Sequence, residues 1–371
     1  MRKKKGKITA EEEYFIASQW QLMWRKFKKH ELAISSGVVL SIFYIIAIFS
    51  EFFSPYNTEK YFPDYAFCPP QSIHFFGKNG EFHLRPFIYG IKQEINPDTW
   101  GTVYTEDKTK ENPIYFFVHG EQYKMWNLFK TDIHLFGVKE PEVIFLFGTD
   151  RLGRDLFSRN LYASRISLSI GLVGVSLGFA LGCLLGGISG YFGGGSDMII
   201  QRVIEFLISI PTIPLWMALS AALPNDWSPI KIYFSITIIL SIIGWCGLAR
   251  VVRGKLISSR EEDFAMAAKI AGATDAKIIV RHLLPSFLSY LIVSLTLSIP
   301  YMILGETALS FLGLGIRAPA VSWGVLLREA QNVQTVAFHP WLLIPGVFII
   351  ITVLAFNFLG DGLRDAADPY K

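Results

Sequence analysis

The chain alternates between long runs of apolar residues and shorter polar segments. Six runs are long enough to cross a hydrocarbon core, which takes about 20 helical residues. The runs are 32–53, 166–189, 198–223, 232–252, 287–312 and 341–360. A buried helix of a soluble protein could account for one such run but not for six. The pattern therefore predicts an all-α polytopic membrane protein.

The distribution of Lys and Arg predicts how the spans are oriented. Nine Lys or Arg precede the first span and seven lie between residues 250 and 281, whereas the 224–231 loop holds one and the 313–340 loop holds two. Basic residues are enriched on the cytoplasmic side of membrane proteins. We therefore expect cytoplasmic tails at 1–31 and 361–371, and an external position for the long segment between the first two spans.

Composition agrees with a membrane protein. Only 18% of the 371 residues are charged and 51% are hydrophobic, whereas about 25% of the residues of a typical soluble protein are charged. This content excludes a disordered or nucleic-acid-coating chain, and a net charge of +4 is too modest to indicate a partner by its total. Three cysteines are too few for a disulfide framework.

Residues 54–147 form the longest segment outside the spans and are rich in aromatic residues, Pro, Gly and Asn. Disordered segments lack aromatics, and the runs 114–118 and 143–147 have the composition of short strands. We expect an external β-rich module inserted between the first and second spans. Its four histidines match no metal-binding spacing, so we interpret them as polar surface and predict no metal site. They are His74, His83, His119 and His134.

The next segment, 148–165, begins with residues that form turns and cap helices. These are Gly148, Thr149, Asp150, Gly153, Arg154 and Asp155. Glycines allow tight turns, and Thr, Asp and Ser are good N-caps. Apolar residues then recur at helical spacing with Arg between them. This pattern predicts an external elbow followed by an amphipathic helix on the membrane surface before the second span.

The polar segment 250–285, between the fourth and fifth spans, has the most informative local pattern. Ser259 followed by Glu262 has the spacing of a capping box and predicts a helix start just after Ser259. One helical face then collects small side chains and a single aromatic, namely Phe264, Ala267, Ala268 and Ala271. Gly272 follows where a left-handed C-cap is expected, and a second short helix leads to Pro285. The segment predicts a helix-turn-helix whose small residues let a partner backbone approach closely.

Two alternatives compete with a docking role for this helix-turn-helix. A DNA-binding helix-turn-helix also uses Ala and a turn Gly, but a segment joined to membrane spans at both ends could hardly enter a major groove. The second alternative is that the segment packs only on its own transmembrane bundle.

The same segment carries a family resemblance. The stretch AMAAKIAGATDAKIIVRHLLP (265–285) resembles the EAA coupling loop of permease subunits in ATP-binding cassette (ABC) importers. Ala267, Ala268 and Gly272 match the core of that loop, and Met266 stands where the family has Glu. A salt bridge from that Glu is therefore not expected here.

Other stretches narrow the resemblance to a subgroup. GTDRLGRDLFSR (148–159), GETALSFLG (305–313) and GDGLRD (360–365) are similar to the dipeptide, oligopeptide and nickel permeases of this family. The resemblance covers the first span and everything from Gly148 onward, and it leaves out the external module.

The resemblance implies a fold and a set of partners. It implies the type I ABC importer permease fold, with the second to sixth spans within 166–360, in the inner membrane of a bacterium or archaeon. The chain would act with a second homologous permease, two ATPases that bind ATP and Mg, and an external solute-binding protein. It would bind no cofactor itself. No G-x-x-x-x-G-K-[ST] phosphate loop occurs in the chain, so we do not expect it to be an enzyme.

The resemblance favours peptides as cargo and leaves oligosaccharides and nickel complexes open. A secondary transporter would show internal repeats and ionisable residues at the bilayer midplane. A membrane-anchored enzyme would need a convergent nucleophile or metal set. The sequence shows no convincing repeat, few ionisable residues within the spans, and no convergent nucleophile or metal set.

Ionisable residues within spans usually face the bundle interior, so Glu205 and Glu306 are candidates for lining the pathway. Glu205 could instead pair with Arg202 near the membrane interface, and Glu306 could line the entrance. Pro211 and Pro214 predict a kink in the third span. Three glycines spaced four apart in the second span predict close helix contact; they are Gly174, Gly178 and Gly182.

Overall fold

The computed structural model describes residues 19–78, 80–95, 97, 102–126 and 128–367. Residues 1–18 and 368–371 of the predicted tails lie outside this part. The helices are α1 (Gln19–Phe27), α2 (Glu31–Ile48), α3 (Ser50–Phe53), α4 (Leu156–Phe192), α5 (Gly194–Ser209), α6 (Thr212–Ala221), α7 (Pro229–Ser259), α8 (Asp263–Ile270), α9 (Asp275–Ile278), α10 (Leu284–Ser286), α11 (Leu288–Phe311), α12 (Trp323–Leu327), α13 (Val333–Phe338) and α14 (Ile344–Ala367). The strands are β1 (His74–Phe76), β2 (Phe82–Ile95), β3 (Thr102–Pro113), β4 (Tyr115–Met125) and β5 (Phe129–Gly137).

Within the described residues, five helices are long and apolar enough to cross a membrane, or six spans if one bent helix pair is counted. The five are α2, α4, α7, α11 and α14, the last extended by a 3₁₀ turn from Pro340. Each overlaps one predicted span. Leu240 of α7, Ile303 of α11 and Trp323 of α12 are fully buried in the shared core of these helices.

The third predicted span is the bent pair, α5 and α6, whose axes differ by 85°. Ile210 between them has an extended backbone (ψ 128°) because the following Pro211 disfavours the helical conformation. The predicted kink is therefore confirmed at Pro211. Pro214 lies inside α6, whose first turn accommodates it without a second break.

α4 and α7 lie against each other because glycines on α4 leave no side chain between the two helices. A Cβ on Gly182 would lie 2.9 Å from Leu248 Cβ, and one on Gly186 only 2.5 Å from the Ala249 carbonyl oxygen. Real Cβ atoms essentially never come this close to another heavy atom. The predicted close contact is confirmed at Gly182 and continues beyond the predicted glycines to Gly186.

The segment between α3 and α4 contains two small antiparallel sheets, one ordered β1-β2-β3 and one formed by β4 and β5. β4 confirms the predicted strand at 114–118, but 143–147 is not a strand. It is a buried irregular stretch whose N–H groups bond to side chains. Ile144 N–H donates to the Tyr56 hydroxyl (3.0 Å) and Phe145 N–H to Gln71 Oε1 (2.6 Å).

One of the four histidines contradicts the interpretation as polar surface. His134 on β5 is 3% exposed. Its Nδ1 lies 2.6 Å from the Ser54 carbonyl oxygen and its Nε2 lies 3.1 Å from that of Glu121. The ring therefore holds the β4–β5 sheet against the end of α3.

Candidate functional site

Residues 260–285, called the inter-span hairpin below, connect α7 to the helices that lead into α11. The predicted capping box at its start is wrong. α7 continues through Ser259, and the Arg260 N–H still donates to the Leu256 carbonyl, so the chain there has the helical backbone rather than the extended one of an N-cap. α8 starts about one turn later, at Asp263, with Glu262 as its N-cap and no side-chain cap.

The end of α8 follows the prediction. Gly272 has φ +78°, a left-handed conformation that Gly adopts without steric cost. Its N–H donates to the Lys269 carbonyl and the N–H of Ala273 donates to that of Ala268. These two bonds form a Schellman motif, which satisfies the last carbonyl groups of the helix and turns the chain toward α9.

One side of the hairpin is buried against the helix bundle. Ala265 and Ile278 are 2% and 1% exposed and share a core cluster with Val252 and Leu256 of α7 and Leu291 of α11. Burying a side chain as large as Ile contributes about 1.5–3 kcal/mol. This side therefore attaches the hairpin firmly to the ends of the membrane helices.

The opposite side of α8 is an exposed apolar surface, called the α8 face below. Its members are Phe264, Met266, Ala267, Ile270 and Ala271, with Gly272 at its end. Ile270 is 85% exposed and Met266 is 47% exposed. This arrangement corrects the predicted face in one respect, because Ala268 turns toward the bundle and packs beside the buried cluster.

Two contacts fasten the hairpin to the end of α4. The Arg260 guanidinium donates to the carbonyl oxygens of Gly190 (3.4 Å) and Tyr191 (3.1 Å), which are the last carbonyls of α4. The Tyr191 hydroxyl donates to Asp275 Oδ1 at the start of α9 (2.8 Å). The hairpin is thus tied to the end of α4 at two points, just before α8 and at the start of α9.

An ion pair joins α5 and α7 at the same end of the bundle. Arg253 Nε and one of its terminal nitrogens each lie 2.6 Å from an oxygen of Asp197, in a bidentate geometry. The Ser189 hydroxyl of α4 also donates to Asp197. Side chains of α4, α5 and α7 therefore meet in one bonded cluster, next to the α4 carbonyls that Arg260 contacts.

The predicted elbow residues meet in a second cluster, the 148–155 loop. Asp150 Oδ1 accepts from the N–H groups of Leu152 and Arg154, and Oδ2 accepts from the guanidinium groups of Arg154 (2.7 Å) and Arg159. Arg154 also lies 3.3 Å from Glu329 Oε1, in the turn after α12. The loop is thus an ionic joint between α4 and the segment that follows α11.

The two glycines of this loop are required by its geometry. Gly148 and Gly153 have φ of +72° and +73°. A Cβ on Gly153 would lie 2.0 Å from the Phe62 carbonyl oxygen, so no other residue fits without a shift of the backbone. Thr149 adds a side-chain link, since its hydroxyl accepts from the Cys68 N–H at 2.8 Å.

Asp155 is the N-cap of α4, as its residue type predicts. Its carboxyl group accepts from the Ser158 N–H (2.8 Å) and hydroxyl (2.6 Å). Burial raises the pKa of the Asp155 carboxyl to about 7. Burial and the neighbouring Asp150 likewise raise the pKa of Glu329.

The amphipathic surface helix expected after Asp155 is not a separate element. α4 runs without a break from Leu156 to Phe192, and Arg159, which the pattern placed on a polar surface, is only 5% exposed. The Arg159 guanidinium can be buried because it is paired with the Asp150 carboxylate.

The two candidate pathway residues have opposite environments. Glu306 is fully buried: Oε1 accepts from the hydroxyls of Ser310 and Ser322, each at 2.6 Å, and Ser167 lies at 3.5 Å. In this structure it therefore joins α4, α11 and α12 rather than facing a surface. Glu205 is exposed on α5 and lies 2.7 Å from Arg202, the pairing considered as its alternative role.

The structure also gives roles to residues that the sequence pattern did not assign to these sites. Ile270 and Met266 dominate the exposed α8 face, Arg260 clamps the hairpin, and Glu329 completes the ionic joint. The sequence could have predicted a role for Ile270, because it is a large apolar residue one helical turn after Met266 in a polar segment. Glu329 had no such signal, because it lies 175 positions from Arg154. Within the described residues, no group of three or more His, Cys, Asp or Glu is arranged to hold a metal ion.

Comparison with known proteins gives two family matches. Residues 178–370 match the model of the binding-protein-dependent transport system inner membrane component. Residues 18–70 match the N-terminal TM domain of oligopeptide transport permease C. The first match covers more than half of the chain and contains the inter-span hairpin.

Individual relatives agree with these matches. The dipeptide transport system permease protein DppC of Bacillus subtilis is 40% identical over 62% of this chain and 70% of its own length. The DppC protein of Lactococcus lactis is 32% identical over 95% of this chain and 91% of its own. The glutathione transport system permease protein GsiD of Pectobacterium atrosepticum is 30% identical over 95% and 92%.

Among solved structures, a chain of the MetNI methionine ABC transporter is 18% identical, with a TM-score of 0.43, over 55% of this chain and 93% of that one.

The family match, the relatives and the apolar helices lead to one conclusion. The chain is a multi-pass membrane permease, not a catalytic subunit, and it belongs to the family of binding-protein-dependent transport system inner membrane components.

Proposed function

We propose that this chain is the permease subunit of an ATP-driven importer and forms half of the pathway for oligopeptides or dipeptides. The names of the relatives support this cargo class, since they include two dipeptide permeases. Oligosaccharides and nickel complexes are the alternatives within the same architecture.

The α8 face is the observation that carries the proposal. Ile270 (85% exposed) lies on α8 together with the exposed Met266 and Phe264, and a contiguous exposed apolar patch of this kind indicates an interaction surface. The face is small-residue-rich around Ile270, so a partner can approach the helix closely. Its opposite side is buried against α7 and α11, and Arg260 binds it to α4, so force applied to the face reaches three membrane helices.

The partners follow from this assignment. Two ATPase subunits, which bind ATP and Mg, dock on the α8 face of this chain and on the equivalent surface of a second homologous permease. A solute-binding protein delivers cargo on the opposite side of the membrane. The hairpin and both termini are then cytoplasmic, and residues 54–147 form an external module, inserted between the first two spans, that contributes to docking of the binding protein.

The pathway would run between the two permeases. Glu205 supports a position along it or at its cytoplasmic mouth, because its carboxylate is exposed on α5 in the isolated subunit. Glu306 supports a different role, since its burial suits it to hold α4, α11 and α12 together as the pathway changes shape.

The test of the proposal is Ile270→Asp, which places a charge at the centre of the α8 face. We expect the importer complex to lose its ATPases on purification, with docking weakened at least about tenfold, because central apolar anchors contribute most of an interface's affinity. Val333→Asp is the matched control, since Val333 is also exposed (82%) but lies on α13, away from the hairpin.

Both variants should insert into the membrane and purify as folded permeases. Retention of the ATPases and of ATP-dependent peptide uptake by Ile270→Asp would overturn the docking role of the α8 face. Normal ATPase binding with uptake of a non-peptide solute would overturn only the cargo assignment.

A further inference from the structure

The end of the β4–β5 sheet is an exposed apolar surface close to the first membrane span. This surface, called the β4–β5 tip below, consists of residues 124–126 and 128–130. Leu128 is 73% exposed, Phe129 63% and Trp126 45%. Large apolar side chains that cluster in this way at a loop end indicate an interaction surface.

The tip is tied to the point where the first span ends. Trp126 Nε1 donates to the carbonyl oxygen of Ile48 (2.9 Å), the last residue of α2, and its ring lies 5.4 Å from that of Phe49. Trp is the side chain most typical of the membrane–water interface, because it has an apolar body and one polar N–H. Trp126 therefore places the β4–β5 tip at the depth where the first span reaches the membrane–water interface.

A charged cluster marks the membrane boundary at the same level. Arg165 donates to the carbonyl oxygens of Ala47 (2.9 Å) and Ile48 (3.0 Å), and one of its terminal nitrogens lies 2.7 Å from Glu51 Oε1. A guanidinium and a carboxylate are costly in hydrocarbon. The apolar part of α2 must therefore end near Ile48, where Trp126 is bound.

Two lysines flank the tip. Lys124 and Lys130 are direct cross-strand partners, and neither forms an ion pair with any residue that the structure describes. Like charges that face each other across a β-ladder destabilise it. Anionic lipid headgroups would remove this repulsion, and each Lys near such a surface is attracted by about 1 kcal/mol.

We propose that the β4–β5 tip inserts into the lipid headgroup region beside α2, with Leu128 and Phe129 among the acyl chains and Lys124 and Lys130 on anionic headgroups. The sheet would thereby be a membrane-anchored element of the permease. The proposal depends neither on the cargo nor on the ATPases.

The experiment measures the environment of single labels in the full chain, reconstituted in nanodiscs of phosphatidylcholine and phosphatidylglycerol. Leu128→Cys carries an environment-sensitive NBD fluorophore, and Phe129→Cys serves as a second position. Leu84→Cys is the matched control, since Leu84 is 89% exposed but lies on β2 of the other sheet. Labelling of the parent chain corrects for its own cysteines; Cys68 and Cys246 are buried and Cys183 is partly buried.

At positions 128 and 129 we expect blue-shifted emission and quenching by nitroxide-labelled lipid about threefold stronger than at position 84, since interfacial groups insert about 5–10 Å into the bilayer. Iodide, which stays in the water, should quench the label at position 84 more strongly than the labels at positions 128 and 129. Replacing both lysines with Ala should move the emission toward that seen in discs of phosphatidylcholine alone.

Two results would overturn the proposal. If positions 128 and 129 were as accessible to iodide as position 84, the tip would lie in water. If they were protected from both iodide and nitroxide lipid in the assembled importer, a protein subunit rather than lipid would cover the tip.

Discussion

A carboxyl group that is taken out of water is stable only if hydrogen bonds replace its hydration. Glu306 meets this requirement with hydroxyl groups from three different elements: Ser167 of α4, Ser310 of α11 and Ser322, the N-cap of α12. Ser167 in turn accepts from the Trp323 N–H at 3.1 Å. One side chain therefore fixes the mutual position of three helices.

Replacing Glu306 with Ala should lower the free energy of unfolding by about 2–4 kcal/mol, because it leaves buried hydroxyls without their acceptor and opens a cavity. Glu306→Gln should cost much less, since the amide oxygen can accept both short bonds. Thermal unfolding of the purified permease in detergent measures the difference. Equal losses in the two variants would show that the negative charge, not the hydrogen-bond geometry, is what the site requires.

For single residues, the sequence predicts the backbone conformation better than it predicts which distant side chains form hydrogen bonds. Gly272 was predictable because a left-handed C-cap depends on the residue itself and on the helix just before it. The role of Glu306 was not, because Ser167 lies 139 positions away and nothing in the local pattern connects the two. The same holds for Glu329 and the ionic joint.

Helix pairs in this bundle depend on where glycines are placed. Gly186 and Gly247 are both helical, but only Gly186 touches the neighbouring helix: a Cβ there would lie 2.5 Å from the Ala249 carbonyl, whereas nothing lies within 4 Å of one at Gly247. Substituting each glycine with Ala therefore distinguishes the effect of helix propensity from the effect of the contact between α4 and α7.

Gly186→Ala should lower the thermal unfolding midpoint, because α4 and α7 would have to move apart. Gly247→Ala should leave it unchanged or raise it, since Ala is favoured over Gly in a helix by about 1 kcal/mol. Unfolding of the isolated permease in detergent tests both. If both substitutions raised the midpoint, the contact between α4 and α7 would be looser than the structure shows.

Element boundaries were predictable where apolar periodicity sets them and failed where helices continue past a local signal. α7 passes through Ser259 because Val252 and Leu256 are buried against the hairpin, and this burial outweighs a capping box. The orientation of α8 also depended on this contact. Small residues occur on both of its sides, so the pattern alone could not tell that Ala265 is buried and Ala267 exposed.

For the molecule as a whole, the 148–155 loop makes stability depend on pH. The folded-state pKa of Asp155 is about 7, above the ordinary value of 3.8. Between about pH 4 and 7 the folded protein therefore binds a proton that the unfolded chain does not. The free energy of unfolding consequently falls as pH rises through this range, and the raised pKa of Glu329 acts in the same direction.

Asp155→Asn removes this titration. Relative to this variant, the parent should gain stability as the pH is lowered from about 7 to about 4.5, by no more than about 4 kcal/mol. Thermal unfolding midpoints across the pH series give the comparison, with Asp226→Asn, at an exposed position, as the control. Parallel curves for the parent and Asp155→Asn would contradict a raised pKa at this site.

α4 has a consequence for how the two membrane surfaces communicate. Its 37 residues make a continuous rod of about 55 Å, longer than the bilayer is thick. Arg260 donates hydrogen bonds to carbonyls in the last turn of α4. At the other end, Asp155 caps the first turn of α4 beside the ionic joint. One unbroken hydrogen-bonded backbone therefore connects the two clusters, and we expect a tilt of one end of α4 to appear at the other end without relay through successive side chains.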